Sequence, residues 1–112
     1  MTASISTIMA SLAECSQPGP GVTRLPFTDQ HRQANAMITA LMEKAGLHVS
    51  LDDGGTLVGR RQGPEGGPTL LMGSHQDSVR NGGRFDGAMG IILPILALTD
   101  LKNIELPFAV EV

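Results

Sequence analysis

The sequence predicts an α/β fold, with a mixed sheet flanked by helices. Two patterns predict it. Apolar residues recur at helical spacing in three stretches, and short alternating or continuous apolar runs bounded by turn residues mark four strands. The strand Pro68-Thr69-Leu70-Leu71-Met72 is followed by a glycine-rich polar loop and then by an apolar helix. Open α/β sheets place their functional sites in that position, at the carboxyl end of a strand and before a helix N-terminus.

Ile5, Ile8, Met9, Leu12 and Ala13 define an amphipathic helix from about Ser4 to Cys15. Pro18-Gly19-Pro20-Gly21 ends it and forms a linker. Thr28 or Asp29 can cap a second helix, whose apolar face is Ala34, Met37, Ile38, Leu41 and Ala45. Gly46 suits the left-handed position after its last turn. Leu47, Val49 and Leu51 alternate with His48, Ser50 and Asp52, the signature of a half-buried strand. Asp52 and Asp53 are turn formers, Asp53-Gly54-Gly55 reverses the chain, and Thr56 to Arg61 returns. Residues 62–67 make a loop, and residues 68–72 read as a short buried strand. The stretch from about Ala88 to Lys102 is apolar nearly all round, so a buried helix is expected there. Pro94 lies inside it, where it removes a backbone hydrogen bond and favours a kink. A final strand lies within Pro107 to Val112.

The loop between strand and helix carries the chemistry. Gly73-Ser74-His75-Gln76-Asp77-Ser78 and Gly82-Gly83-Arg84-Phe85-Asp86-Gly87 bring one imidazole and two carboxylates together. His75 and Asp77 are two apart, so both leave the same face of an extended segment. Asp86 stands at the helix entrance, where a carboxylate is electrostatically favoured. These groups read as half of a hydrolytic metal site. Gly82, Gly83 and Gly87 are expected to give backbone freedom and close approach near it. Arg84 is assigned a structural role in the loop, and Met72 and Met89 are assigned to the core. His31, at a helix start, and His48, on a strand's polar face, read as solvated.

Composition excludes other classes. The 112 residues allow one domain at most. A net charge of −3 gives no case for nucleic acid or an anionic membrane, and three Phe are the only aromatics, too few for base stacking. The apolar run Ile91 to Leu98 is too short to span a bilayer. No basic residue precedes Arg24, so the charged start of a signal peptide is missing. Cys15 is the single cysteine, fits a cytoplasmic location, and reads as a small apolar helix residue rather than a nucleophile.

The string Gly-Ser-His-x-Asp-Ser-Val, with Gly-Gly-Arg-Phe-Asp-Gly-x-x-Gly after it, resembles the two-metal amidohydrolases of the M20 peptidase clan. It is most similar to the N-carbamoyl-L-amino-acid hydrolase, β-ureidopropionase and allantoate amidohydrolase branch. Residues 21–28, 42–47 and 57–61 resemble the same branch, so the likeness covers nearly the whole chain. It implies a zinc-peptidase-like catalytic domain. It also implies that His75 ligates one metal, that Asp86 bridges two divalent ions (zinc, manganese, cobalt or nickel), and that Asp77 is a catalytic-site carboxylate orienting a ligand imidazole. The implied reaction is hydrolysis of a C–N bond in a linear amide or ureido small molecule. The resemblance places a Glu-Glu pair holding the general base, two further histidine ligands, and a lid and dimerisation domain beyond Val112. Glu111, inside the last strand, is not that base. The chain is therefore expected to be a truncated N-terminal part of the catalytic domain, inert alone and prone to self-association, from a family that forms homodimers.

Three alternatives accompany this reading. One is an aminoacylase or exopeptidase of the same clan, and another is a non-catalytic fragment. The third is an anion- or nucleotide-binding loop, but the glycines match neither Gly-x-Gly-x-x-Gly nor a P-loop, and Asp86 would repel phosphate.

Overall fold

A computed structural model describes residues 3–112. Helix α1 spans Ile5–Ala13, and its N-cap is Ser4, whose hydroxyl accepts from the Thr7 amide at 3.3 Å. Ile8, Met9 and Leu12 face the core. Helix α2 spans Asp29–Lys44. Thr28 caps it, accepting from the His31 amide at 3.3 Å, with Asp29 in the first turn and Lys44 in the last, both favourable to the helix dipole. Its C-terminus is a Schellman motif. The Leu47 amide bonds the Met42 carbonyl at 3.0 Å, the Gly46 amide bonds the Glu43 carbonyl at 3.0 Å, and Gly46 takes φ 83.

Strand β1 (His48–Leu51) pairs antiparallel with β2 (Leu57–Arg61). The Asp52 carboxylate forms the turn, accepting from the Gly54 and Thr56 amides, each at 2.9 Å. Strand β3 (Thr69–Leu71), helix α3 (Met89–Asp100) and strand β4 (Ala109–Glu111) complete the fold. The sheet order is β1-β2-β4-β3, antiparallel except for the parallel β3–β4 pair, so the sheet is mixed as expected.

One core joins the helices to the sheet. It contains Met9 and Leu12 of α1, Ile38 and Met42 of α2, Ile92 and Ile95 of α3, and Val110 of β4. Burying a side chain of this size stabilises by about 1.5–3 kcal/mol. Cys15 joins this cluster just past the end of α1, as a small apolar residue.

Three expectations change. Strand β3 is exposed rather than buried, with Leu71 at 70%: among the described residues it is an edge strand paired to β4, and its side-chain faces are left uncovered. Helix α3 buries Ile91, Ile92, Ile95 and Leu98 but leaves Leu93 exposed, so one of its faces is uncovered. Met89 lies on that open side and is not core, whereas Met72 does pack against the core.

Candidate metal centre

Strand β3 extends by one bond, from the Met72 amide to the Glu111 carbonyl at 2.9 Å, before the loop departs. His75 follows three residues later. Its Nδ1 lies 2.9 Å from the Asp77 main-chain oxygen and 3.4 Å from the Asp77 carboxylate. A carbonyl oxygen only accepts, so Nδ1 carries the proton. In a neutral ring that leaves Nε2 with its lone pair, and Nε2 lies 3.7 Å from Asp86 Oδ1. The shorter contact comes from the Asp77 backbone, with the carboxylate beyond it.

The first half of the loop is held from beneath by Arg24, which is 2% exposed. Arg24 Nε donates to both the main-chain and side-chain oxygens of Gln76, each at 2.9 Å. One terminal nitrogen donates to Leu12 O at 3.1 Å and Cys15 O at 2.8 Å, at the C-terminal end of α1. The Arg24 main chain bonds Ser78 twice: the Ser78 side-chain Oγ accepts from the Arg24 amide at 2.9 Å, and the Ser78 amide donates to Arg24 O at 2.8 Å. The Gln76 amide group donates onward to His31 O at 3.1 Å and Asn35 Oδ1 at 2.8 Å, tying the loop to α2. Burial pulls the Arg24 guanidinium below its ordinary value, and the nearby Cys15 and Asp77 oppose that pull. Burial pushes the Cys15 thiol up, which removes it as a thiolate nucleophile.

The second half of the loop is supported differently. Asp86 precedes the α3 N-cap, Ala88, by two residues and offers the helix its main-chain oxygen, at 2.9 Å from the Ala88 amide. Among the described residues no side chain caps α3; the Asp86 carboxylate, 83% exposed, lies toward His75. Gly87 brings this half against the first. It takes φ 74, and a Cβ there would lie 2.4 Å from His75 O and 2.6 Å from His75 Nδ1. Gly83, by contrast, has open space around it and no positive φ, so the close approach expected there is absent. Arg84 is exposed and makes neither a side-chain hydrogen bond nor a salt bridge among the described residues, which fits a solvated side chain rather than a structural role in orienting loop carbonyls.

Together His75, Asp77, Ser78, Gly82 and Asp86 line a cleft of about 190 Å³. His75 and Asp77 also border a cavity of about 350 Å³ that runs beneath His31 and Asn35 to Glu111. Two ligand atoms about 2.0–2.1 Å from one tetrahedral zinc lie roughly 3.4 Å apart. The 3.7 Å between His75 Nε2 and Asp86 Oδ1 therefore suits two ligands of one ion. Among the described residues no group of three or more His, Cys, Asp or Glu side chains converges to hold a metal ion.

Neither Arg24 nor Gln76 stood out in the sequence as a site residue. The available signal was an arginine set among apolar residues in Val22-Thr23-Arg24-Leu25, with no acidic neighbour to pair it. His31 is also less free than expected, since its Nδ1 accepts from the Phe27 amide at 2.6 Å. His48 is exposed, as expected.

This strand–loop–helix architecture is that of the hydantoinase/carbamoylase amidases. The chain superposes on one from Burkholderia vietnamiensis with a TM-score of 0.86 and 32% identity, covering 95% of this chain and 27% of that one. In sequence it is related to the N-carbamoyl amino acid and allantoate amidohydrolases. It is 48% identical over 77 residues to the N-carbamoyl-L-amino acid amidohydrolase of Geobacillus stearothermophilus, covering 68% of this chain and 19% of that enzyme. It is 40% identical over 84 residues to the allantoate amidohydrolase of Bacillus subtilis, covering 74% and 20%. The chain thus spans about a fifth of the length of these curated relatives. No protein-family model matches it. No helix among the described residues is long and apolar enough to cross a membrane.

Proposed function

We propose that these residues form the N-terminal part of the catalytic domain of a metal-dependent hydrolase. Its substrates would be linear amide or ureido small molecules of the N-carbamoyl amino acid or allantoate type, and the bond broken a C–N bond. One observation carries the reading: His75 has its Nδ1 committed to Asp77 and its Nε2 directed at Asp86 Oδ1, 3.7 Å away. His75 and Asp86 would hold metal, with Asp86 shared between two divalent ions drawn from zinc, manganese, cobalt and nickel. Bound there, such ions supply Lewis-acid polarisation of a carbonyl and an activated water. Asp77 would orient the imidazole, fixing which nitrogen is offered. Remaining ligands, the general base, and a lid and dimerisation domain would lie outside residues 1–112. The working protein would be a cytoplasmic homodimer; the lone buried thiol of Cys15 is compatible with that compartment.

A chimera tests the proposal. Residues 1–112 replace the matching segment of the Geobacillus stearothermophilus enzyme, and ammonia release from N-carbamoyl amino acids is followed with added zinc or manganese. Metal-dependent turnover that disappears with His75→Ala supports the reading. Unchanged turnover in that variant would contradict it, and turnover confined to N-acyl amino acids or dipeptides would favour an aminoacylase or exopeptidase.

A further inference from the structure

We propose that Arg24 is a positioning residue for His75, acting through Gln76 and Ser78 to fix which ring nitrogen His75 offers. The contacts form a continuous path. Arg24 is anchored to the α1 carbonyls of Leu12 and Cys15. From there its Nε grips Gln76, and its main chain holds Ser78 on the other side of Asp77, donating to the Ser78 hydroxyl and accepting from the Ser78 amide. With residues 76 and 78 held, the Asp77 carbonyl between them has one place to point, and it points at His75 Nδ1, 2.9 Å away. That bond selects the tautomer with Nδ1 protonated and leaves Nε2 as the free electron pair.

The geometry gives Arg24 a use beyond packing. A planar guanidinium donates along several directions at once, and here it serves α1 and the loop together. Lysine has a single point of charge and cannot bridge both. The Gln76 amide completes the frame by bonding α2 at His31 O and Asn35 Oδ1, so the loop is set by two helices distant in sequence. Among the described residues no comparable side-chain network holds Asp86. The tautomer of His75 is therefore decided by the protein before any ion arrives.

The test is the tautomer itself, read from long-range proton–nitrogen correlation spectra of the metal-free full chain, labelled at histidine, at alkaline pH where imidazole is neutral. His75→Ala assigns the signal. Wild type should show His75 protonated at Nδ1 alone. Gln76→Ala and Arg24→Lys should show mixed or inverted tautomers, while Leu98→Ala, a core change away from the loop, should lower the melting temperature and leave the tautomer unchanged. Zinc titration of the same variants in the chimera gives a second readout, with an expected loss of about 10–100-fold for Gln76→Ala. It decides the matter if Arg24→Lys or the isolated chain does not fold. A single Nδ1-protonated tautomer in a folded Gln76→Ala or Arg24→Lys variant, or wild-type zinc affinity in the chimera, would overturn the proposal. The inference rests on the metal reading of His75 for its zinc arm only. Zinc affinity unaffected by His75→Ala, with the tautomer still scrambled by Gln76→Ala, would remove the metal reading and leave the positioning role.

Discussion

Residues 75–78 and residues 83–86 form facing sides of one cleft, yet they are held in different ways. The first side is pinned by a buried arginine, by a glutamine bonded to α2, and by two bonds from the Arg24 main chain to the Ser78 amide and hydroxyl. The second is exposed, with its carboxylate free of the helix it precedes. The difference teaches where order is already present. The imidazole side is organised by the fold, so binding there needs little further ordering. The carboxylate side is placed by backbone, through the paired Val22–Gly82 bonds at its start and the close approach at Gly87 at its end, and its carboxylate is left exposed.

The sharpest way to break this comparison is to remove the free side. In the chimera, Asp86→Ala should abolish turnover, since a carboxylate shared by two ions supports both and their charge stabilisation is worth several kcal/mol. Kinetics beside metal analysis would check it. Near-normal turnover at full metal occupancy would remove Asp86 from the site.

On the pinned side, His75→Ala should weaken metal binding more than Asp77→Asn does. The first variant would remove a proposed ligand atom. The second leaves the Asp77 main-chain oxygen, the closer partner of His75 Nδ1, in place. Changes to orienting groups cost about 10–100-fold in affinity or activity, and Asp77→Asn should fall in or below that range. Calorimetric titration of both variants gives the order, and a reversed order would break the role assignment.

Gly87→Ala sharpens the comparison at the point where the sides meet. Alanine at this left-handed position costs about 1–2 kcal/mol, and its Cβ would strike His75 O and the imidazole. We expect a melting-temperature drop together with weaker zinc binding. Gly83→Ala, in open space, should change neither.

Much of this architecture was legible because its causes are local. Ser4 and Thr28 cap helices, Gly46 closes one, and Asp52 turns a hairpin, each through groups within five residues in sequence. The His75, Asp77 and Asp86 cluster was legible for the same reason, being the product of a single loop. The support beneath it was not. Arg24 meets Gln76 across 52 positions, and Gln76 meets Asn35 across 41, so no periodicity reports either contact. Exposure of β3 and of Leu93 on α3 was hidden for a related reason: apolar composition reports that a face could be buried, and the packed neighbour decides whether it is.

A smaller effect concerns Cys15, beneath the pinned side. Burial raises its thiol pKa above the unfolded value, so the folded state holds the proton longer as pH rises. Its contribution to stability is complete below about pH 8.5 and is lost as pH climbs from there through the raised folded value. A Cys15→Ala variant should show a shallower fall in melting temperature above about pH 8.5 than the parent. Equal slopes would contradict it.

The central claim is that His75 and Asp86 hold the same ion, and a double-mutant cycle on zinc affinity tests it most directly. Calorimetric titration of the chimera would compare the parent, His75→Ala, Asp86→Ala and the double variant. Two ligands of one ion should be coupled, with the double variant departing from the summed single losses by about 0.5–3 kcal/mol. Losses that add within error, or no loss in either single variant, would contradict the shared site.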